Sequence, residues 1–104
     1  MKDLRGHSAA FETPVAGRAR VAGPLDFGTV TRLLPQGSAA IASGAASVID
    51  LGGVLESDSS GLALLIEWLS VAKAAGRTLR YENMPAQLHQ LALLSDVDKL
   101  VTPG

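Results

Sequence analysis

No cysteine occurs anywhere in the chain, so disulfides, thiolate chemistry and cysteine metal sites are excluded and a reducing compartment is permitted. Excess charge is missing too: nine Lys and Arg stand against ten Asp and Glu, a net charge of −1. Such a chain has no global field to recruit nucleic acid or an anionic membrane, and neither is expected as a partner. No apolar run comes near the roughly 20 residues that span a bilayer, because Glu67 interrupts the longest one. Direct membrane insertion is therefore not expected. The opening stretch, Met1 to Ser8, also lacks the apolar core of a secretory signal. The expectation is a cytoplasmic protein, whose attachment to any membrane would have to go through another protein.

Catalytic and metal patterns are equally scarce. His7 and His89 are the two histidines, and the sequence offers neither one a partner set at metal-ligand spacing. No Gly-x-Ser-x-Gly elbow accompanies the serines, which argues against a hydrolase triad. Gly52-Gly53 is not followed by Gly-Lys-Ser/Thr, so a phosphate-binding loop is unsupported, and tight backbone passage at a strand end accounts for the pair. Asp26 and Asp50 read as a helix cap and a strand-end acceptor rather than an acid/base pair. Arg77 and Arg80 read as solvated side chains. The expectation is a non-enzyme with no cofactor and no metal.

What is present describes one domain. With 104 residues, 47% hydrophobic and 18% charged, the chain can bury roughly two thirds of its unfolded surface. Residues 1–10 read as a flexible arm and 11–104 as the domain. Arg18 to Gly23 alternates like a half-buried strand, broken by Gly23-Pro24. Asp26 caps a first helix with Phe27, Val30, Leu33 and Leu34 at helical spacing, ended or bent at Pro35-Gln-Gly37. Ser38 to Ser47 is open between weak helix and loop. Val48 to Leu51, apolar throughout, reads as a central parallel strand. A second helix, capped by Asp58 or Ser59, runs to about Ala75 and stops at Gly76. Thr78 to Glu82 is a strand, and Asn83-Met-Pro85 opens a third helix with Leu88, Leu91, Ala92 and Leu94 inward. Asp96 to Val101 closes the chain. Alternating strands and helices imply an α/β fold, a mixed sheet with helices packed mainly on one face.

The segment from Val48 to Leu65 is the most informative. Its strand stops at Gly52-Gly53, a loop carries Glu56 and Asp58, and Ser59-Ser60-Gly61 opens a strongly apolar helix. Two hydroxyls thus sit where helix N–H groups lack partners and the dipole is positive. Stepping about 100° per residue puts Leu62, Leu65, Leu69 and Ala72 on the core side, with Trp68 at its margin. Ser60, Ala63, Glu67, Ser70 and Ala74 line the opposite side, flanked by Leu64, Ile66 and Val71. Two readings remain open for these flanking aliphatics: a docking surface, or burial under a neighbouring loop.

Asp58-Ser-Ser-Gly-Leu62 after Val48-Ile-Asp-Leu51 resembles the signature of STAS domains. That family includes anti-sigma-factor antagonists, cytoplasmic tails of anion transporters and the MlaB-type subunit of the Mla phospholipid-transport ABC system. The likeness runs from about Gly17 to Val101. Gly23-Pro-Leu-Asp-Phe-Gly-Thr-Val30 is similar to a stretch common in the MlaB group, and Asn83 to Ala92 resembles that group's third helix. Leu94-Ser-Asp-Val97 departs from the antagonist pattern.

The resemblance implies a non-enzymatic subunit that binds and regulates the MlaF-like cytoplasmic ATPase of a phospholipid-transport ABC complex, which maintains outer-membrane lipid asymmetry. Its partner-binding residues would be Asp58, Ser59, Ser60, Gly61, Ala63, Leu64, Glu67 and Val71. The alternative it implies is an anti-sigma-factor antagonist switched by a partner kinase. Ser60, just before the glycine, then matches the phosphorylated position, while Ser59 matches a residue of the ATPase contact in the MlaB group. A phosphate at Ser60 would be welcomed by helix N–H groups and repelled by Glu56 and Asp58. A plain helix cap explains the same serines, and capping can coexist with partner contact.

Overall fold

The computed structural model describes residues 9–101. In chain order these form β1 (Ala10–Val15), β2 (Gly17–Leu25), α1 (Phe27–Ser43), β3 (Ala46–Ser57), α2 (Ser59–Ala74), β4 (Arg80–Glu82), α3 (Ala86–Leu94) and α4 (Asp98–Val101). The sheet order is β1-β2-β3-β4, with β1 antiparallel to β2 and with β2, β3 and β4 parallel. The arm expected over residues 1–10 falls largely outside the described residues, and Ala10 already belongs to β1.

Side-chain alternation along the strands separates the two faces of the sheet. Ala19, Val21, Ile49, Leu51 and Tyr81 point inward and share one core with Leu33, Ile41, Leu65, Trp68 and Leu88 of the helices. The other face is charged. Glu12, Arg20, Asp50 and Glu82 lie in one cross-strand row, and Arg18, Val48 and Arg80 lie in the next. Arg18 and Arg80 both reach Glu82, at 2.5 and 3.1 Å, and Arg20 reaches Glu12 at 3.2 Å. β3 is central and parallel, as its apolar run implied. Only one of its faces is covered by helices, however.

Several boundaries differ from those the local signals suggested. β3 does not stop at Gly52-Gly53; it continues through them to Ser57, so Glu56 is a strand residue. The glycines sit at a bulge, where Arg20 pairs Asp50 but Ala22 pairs Gly53. A Cβ on Gly53 would lie 2.9 Å from the Ala22 Cβ, so the two backbones approach too closely for any side chain. β2 likewise passes through Gly23-Pro24 to Leu25. β1 has ended its pairing at Ala22 by then, so the missing Pro24 N–H breaks no ladder with it.

Pro35 lies inside α1, which runs on to Ser43 and ends at Gly44 with φ 87°. Propensity alone would stop the helix; its packing on α2 overrides that. Gly37 is buried directly against the Trp68 ring, and the Trp68 indole donates to the Leu34 carbonyl at 3.2 Å. Asp26 caps α1 as expected, in a reciprocal capping box with Thr29. In α3, Leu88 and Ala92 are buried, whereas Leu94 is 85% exposed rather than inward. The helix ends at Leu94, where the chain turns through Ser95 and Asp96 away from the core.

Candidate functional site

The Asp58-Ser-Ser-Gly segment opens α2 at the carboxyl end of β3, and three elements hold it there. Asp58 donates its amide to the Leu25 carbonyl at the end of β2, at 3.1 Å. The Gln87 side chain on α3 accepts the Ser57 amide at 2.9 Å. Asp58 is the N-cap, its carboxylate accepting the Ser60 amide at 2.7 Å. Gly61 then tucks in so tightly that a Cβ there would lie 2.0 Å from Ser57 Oγ and 3.0 Å from Leu25 Cβ. The glycine is a packing requirement of this junction. A cleft of about 290 Å³, lined by Asp26, Glu56, Asp58 and Gln87 among others, opens beside it.

α2 buries Leu62, Leu65 and Ala72 as expected, but its core stripe is rotated so that Trp68 and Leu64 enter it and Leu69 moves to its edge. Gly61, Leu62, Leu64, Leu65, Trp68 and Ala72 are buried, and Leu69 is half-buried. Trp68 sets this phase, because its ring must enter the space left by Gly37 and meet Phe11 edge-on at 5.6 Å. Leu64, expected at the centre of a docking surface, is 2% exposed and belongs to the core. Gly61 is buried as well and offers no side chain. Asp58, Ser59, Ala63 and Glu67 are exposed, with Ser60 and Val71 half-buried. These six share the outward side of α2.

Sequence reasoning missed Gln87, whose role depends on α3 meeting the end of β3, and the exposed Phe27 and Leu55, chain neighbours of residues lining the cleft. Isolated apolar residues next to Asp26 and Glu56 carry no local signal of exposure. Among the described residues no cluster of three His, Asp or Glu could hold a metal ion. What the arrangement offers is a firmly held helix start with accessible hydroxyls, suited to contact with another macromolecule.

The family model described as "Mlab, STAS domain" matches residues 8–102. The chain belongs to the STAS family. Two solved structures share this STAS fold. The anti-sigma factor antagonist SpoIIAA in its unphosphorylated form superposes with a TM-score of 0.70 at 19% identity, over 93% of this chain and 88% of that one. The Bacillus cell fate determinant SpoIIAA in the phosphorylated form gives 0.67 at 19% identity, over 93% and 91%. No curated protein matches the chain. Among the described residues of this STAS domain, no helix is long and apolar enough to cross a membrane.

On the outer sheet face, two carboxylates of the STAS domain are held below their ordinary range. Asp50 is lowered chiefly by the Asn83 side chain at 2.9 Å and then by the Gly52 amide at 2.8 Å. Glu82 is lowered chiefly by its hydrogen bond from Arg18. Both bind protons more readily when unfolded, so their stabilisation is complete above the unfolded carboxylate range, about pH 4, and is lost as pH falls through the folded values. Urea midpoints should therefore drop on acidification below about pH 4, and less steeply for Asp50→Asn/Glu82→Gln. Parallel curves for native and variant chains would remove these two groups as the cause.

Proposed function

We propose that this STAS domain is a non-enzymatic subunit that binds and regulates the cytoplasmic ATPase of a phospholipid-transport ABC complex maintaining outer-membrane lipid asymmetry. The outward stripe of α2 carries the reading. Ser59, Ala63 and Glu67 are exposed beside half-buried Ser60, Ile66 and Val71, with Glu67 the single charge from Ser59 to Val71. Such a face has little to desolvate, which suits protein contact better than permanent solvation. The family description, which names Mlab, supports the transport assignment. Regulation follows if the subunit binds one ATPase conformation or dimer more tightly than others and so shifts its population. The protein would then be cytoplasmic, held at the inner membrane by its partner.

The test is binding to the purified ATPase subunit, with Ser59→Arg weakening it by about tenfold or more because an exposed centre residue then carries bulk and charge. Undiminished binding by a folded Ser59→Arg chain refutes the surface.

A phosphorylation switch is the second reading, favoured by the fold likeness to SpoIIAA, solved in unphosphorylated and phosphorylated forms. Ser60 would receive phosphate from an anti-sigma-factor kinase and release it. Local chemistry opposes this, because the Asp58 carboxylate already holds the Ser60 amide at 2.7 Å and would repel a dianion there. Ser59 is the more accessible hydroxyl. Phosphate transfer from that kinase, absent in Ser60→Ala, would favour the switch; absence of transfer to the native chain removes it.

A further inference from the structure

Two of the largest exposed apolar side chains lie off the α2 face. Phe27 is 78% exposed at the first position of α1, and Leu55 is 80% exposed near the end of β3. Each adjoins in the chain a residue lining the cleft beside α2: Phe27 follows Asp26, Leu55 precedes Glu56, and Asp26, Glu56 and Asp58 are among its walls. The backbone bond from Asp58 to Leu25 ties the two walls together.

Charge along the walls of this cleft has one sign. The charged residues among the described ones that line the cleft are Asp26, Glu56 and Asp58, with no lysine or arginine beside them. The arginines among the described residues are engaged elsewhere: Arg18, Arg20 and Arg80 pair with acids on the outer sheet face, Arg32 donates to the Ala9 carbonyl, and Arg77 holds the Ala42 carbonyl at the far end of α1. Near-neutral overall charge thus hides a cleft whose described lining is acidic only, with two bare apolar side chains next to its walls in the chain.

Resting on the reading of this chain as an ATPase-binding subunit, we infer that Phe27 and Leu55 are apolar anchors of that same interface, and that the acid-lined cleft takes a lysine or arginine of the ATPase. Apolar anchors adjoining acids are complementary to a basic segment with apolar neighbours. An anionic lipid surface would be repelled by the same acids, so the occupant is protein rather than membrane. The interface then extends from α2 across the β3–α2 and β2–α1 junctions.

The experiment measures binding of the full chain and its variants to the purified ATPase subunit at low and high salt, with phosphatidylglycerol vesicles as a separate arm. Phe27→Ala and Leu55→Ala should each raise Kd about tenfold without changing the thermal melt, since both side chains are exposed. Glu56→Lys should weaken binding further, and native affinity should fall as salt screens the contact. Ser59→Arg marks the α2 face independently. Loss of binding in Ser59→Arg with native-like binding by the other three variants overturns this inference and leaves the proposed function standing. A native chain that does not bind the ATPase overturns both. Vesicle binding that Leu55→Ala abolishes would also overturn it, replacing protein with lipid.

Discussion

Trp68→Ala is expected to lower folding stability by about 3–5 kcal/mol, read as a fall in the urea midpoint by far-ultraviolet circular dichroism. Trp68 is fully buried, and three elements converge on it. Its ring fills the space against Gly37 of α1, its indole donates to the Leu34 carbonyl, and Phe11 of β1 meets it edge-on. Truncation would leave a cavity between the two long helices and strip the Leu34 carbonyl of one donor. Against a typical total of about 5–15 kcal/mol, the loss brings the domain close to unfolding. The sharper test is coupling. Gly37→Ala alone should cost about 1–3 kcal/mol, because its Cβ would sit 2.3 Å from the ring. In a Trp68→Leu background that penalty should shrink, since the clashing atoms are gone. Additive costs would show that Gly37 is not reserved for the indole.

Gly61→Ala is expected to cost about 1–3 kcal/mol and to weaken binding to the proposed ATPase partner as well. The new methyl would meet Ser57 Oγ at 2.0 Å and Leu25 Cβ at 3.0 Å. Rotating Ser57 would relieve the first contact by breaking its hydrogen bond to the Asp58 carbonyl at 3.0 Å. The Leu25 contact is close to the backbone and can be relieved only by moving α2 outward. That movement would displace Ser59 and Ser60 together with their cap. Gly61→Ala/Ser57→Gly should recover part of the stability but less of the binding. Equal recovery of both would mean that the position of α2 does not matter to the partner.

Much of the site could be read locally. Asp26 caps α1 as expected, and of the two candidates Asp58 and Ser59 it is Asp58 that caps α2, since a short carboxylate ahead of an apolar helical run readily accepts the first free amides. Asp50 accepts hydrogen bonds as expected, but at a bulge inside β3 rather than at a strand end. Leu64 was misplaced because α2 is apolar nearly all round, so the wheel left its phase undetermined by tens of degrees. β1 escaped notice because it is an edge strand with mostly exposed side chains and carries no apolar alternation.

Composition, periodicity and caps were thus enough for an α/β domain with α2 as its distinctive element, since these signals act within a few residues, and the likeness of Asp58-Ser-Ser-Gly to a known signature pointed to the STAS family. The rotation of α2, the passage of β3 through Gly52-Gly53, the continuation of α1 past Pro35 and the one-signed cleft whose wall residues adjoin Phe27 and Leu55 all needed the folded chain. Each depends on contacts between residues far apart in sequence, such as Gly37 with Trp68, Gly53 with Ala22 and Leu25 with Asp58. Close packing between distant segments overrides local preference, and no short window of residues records it.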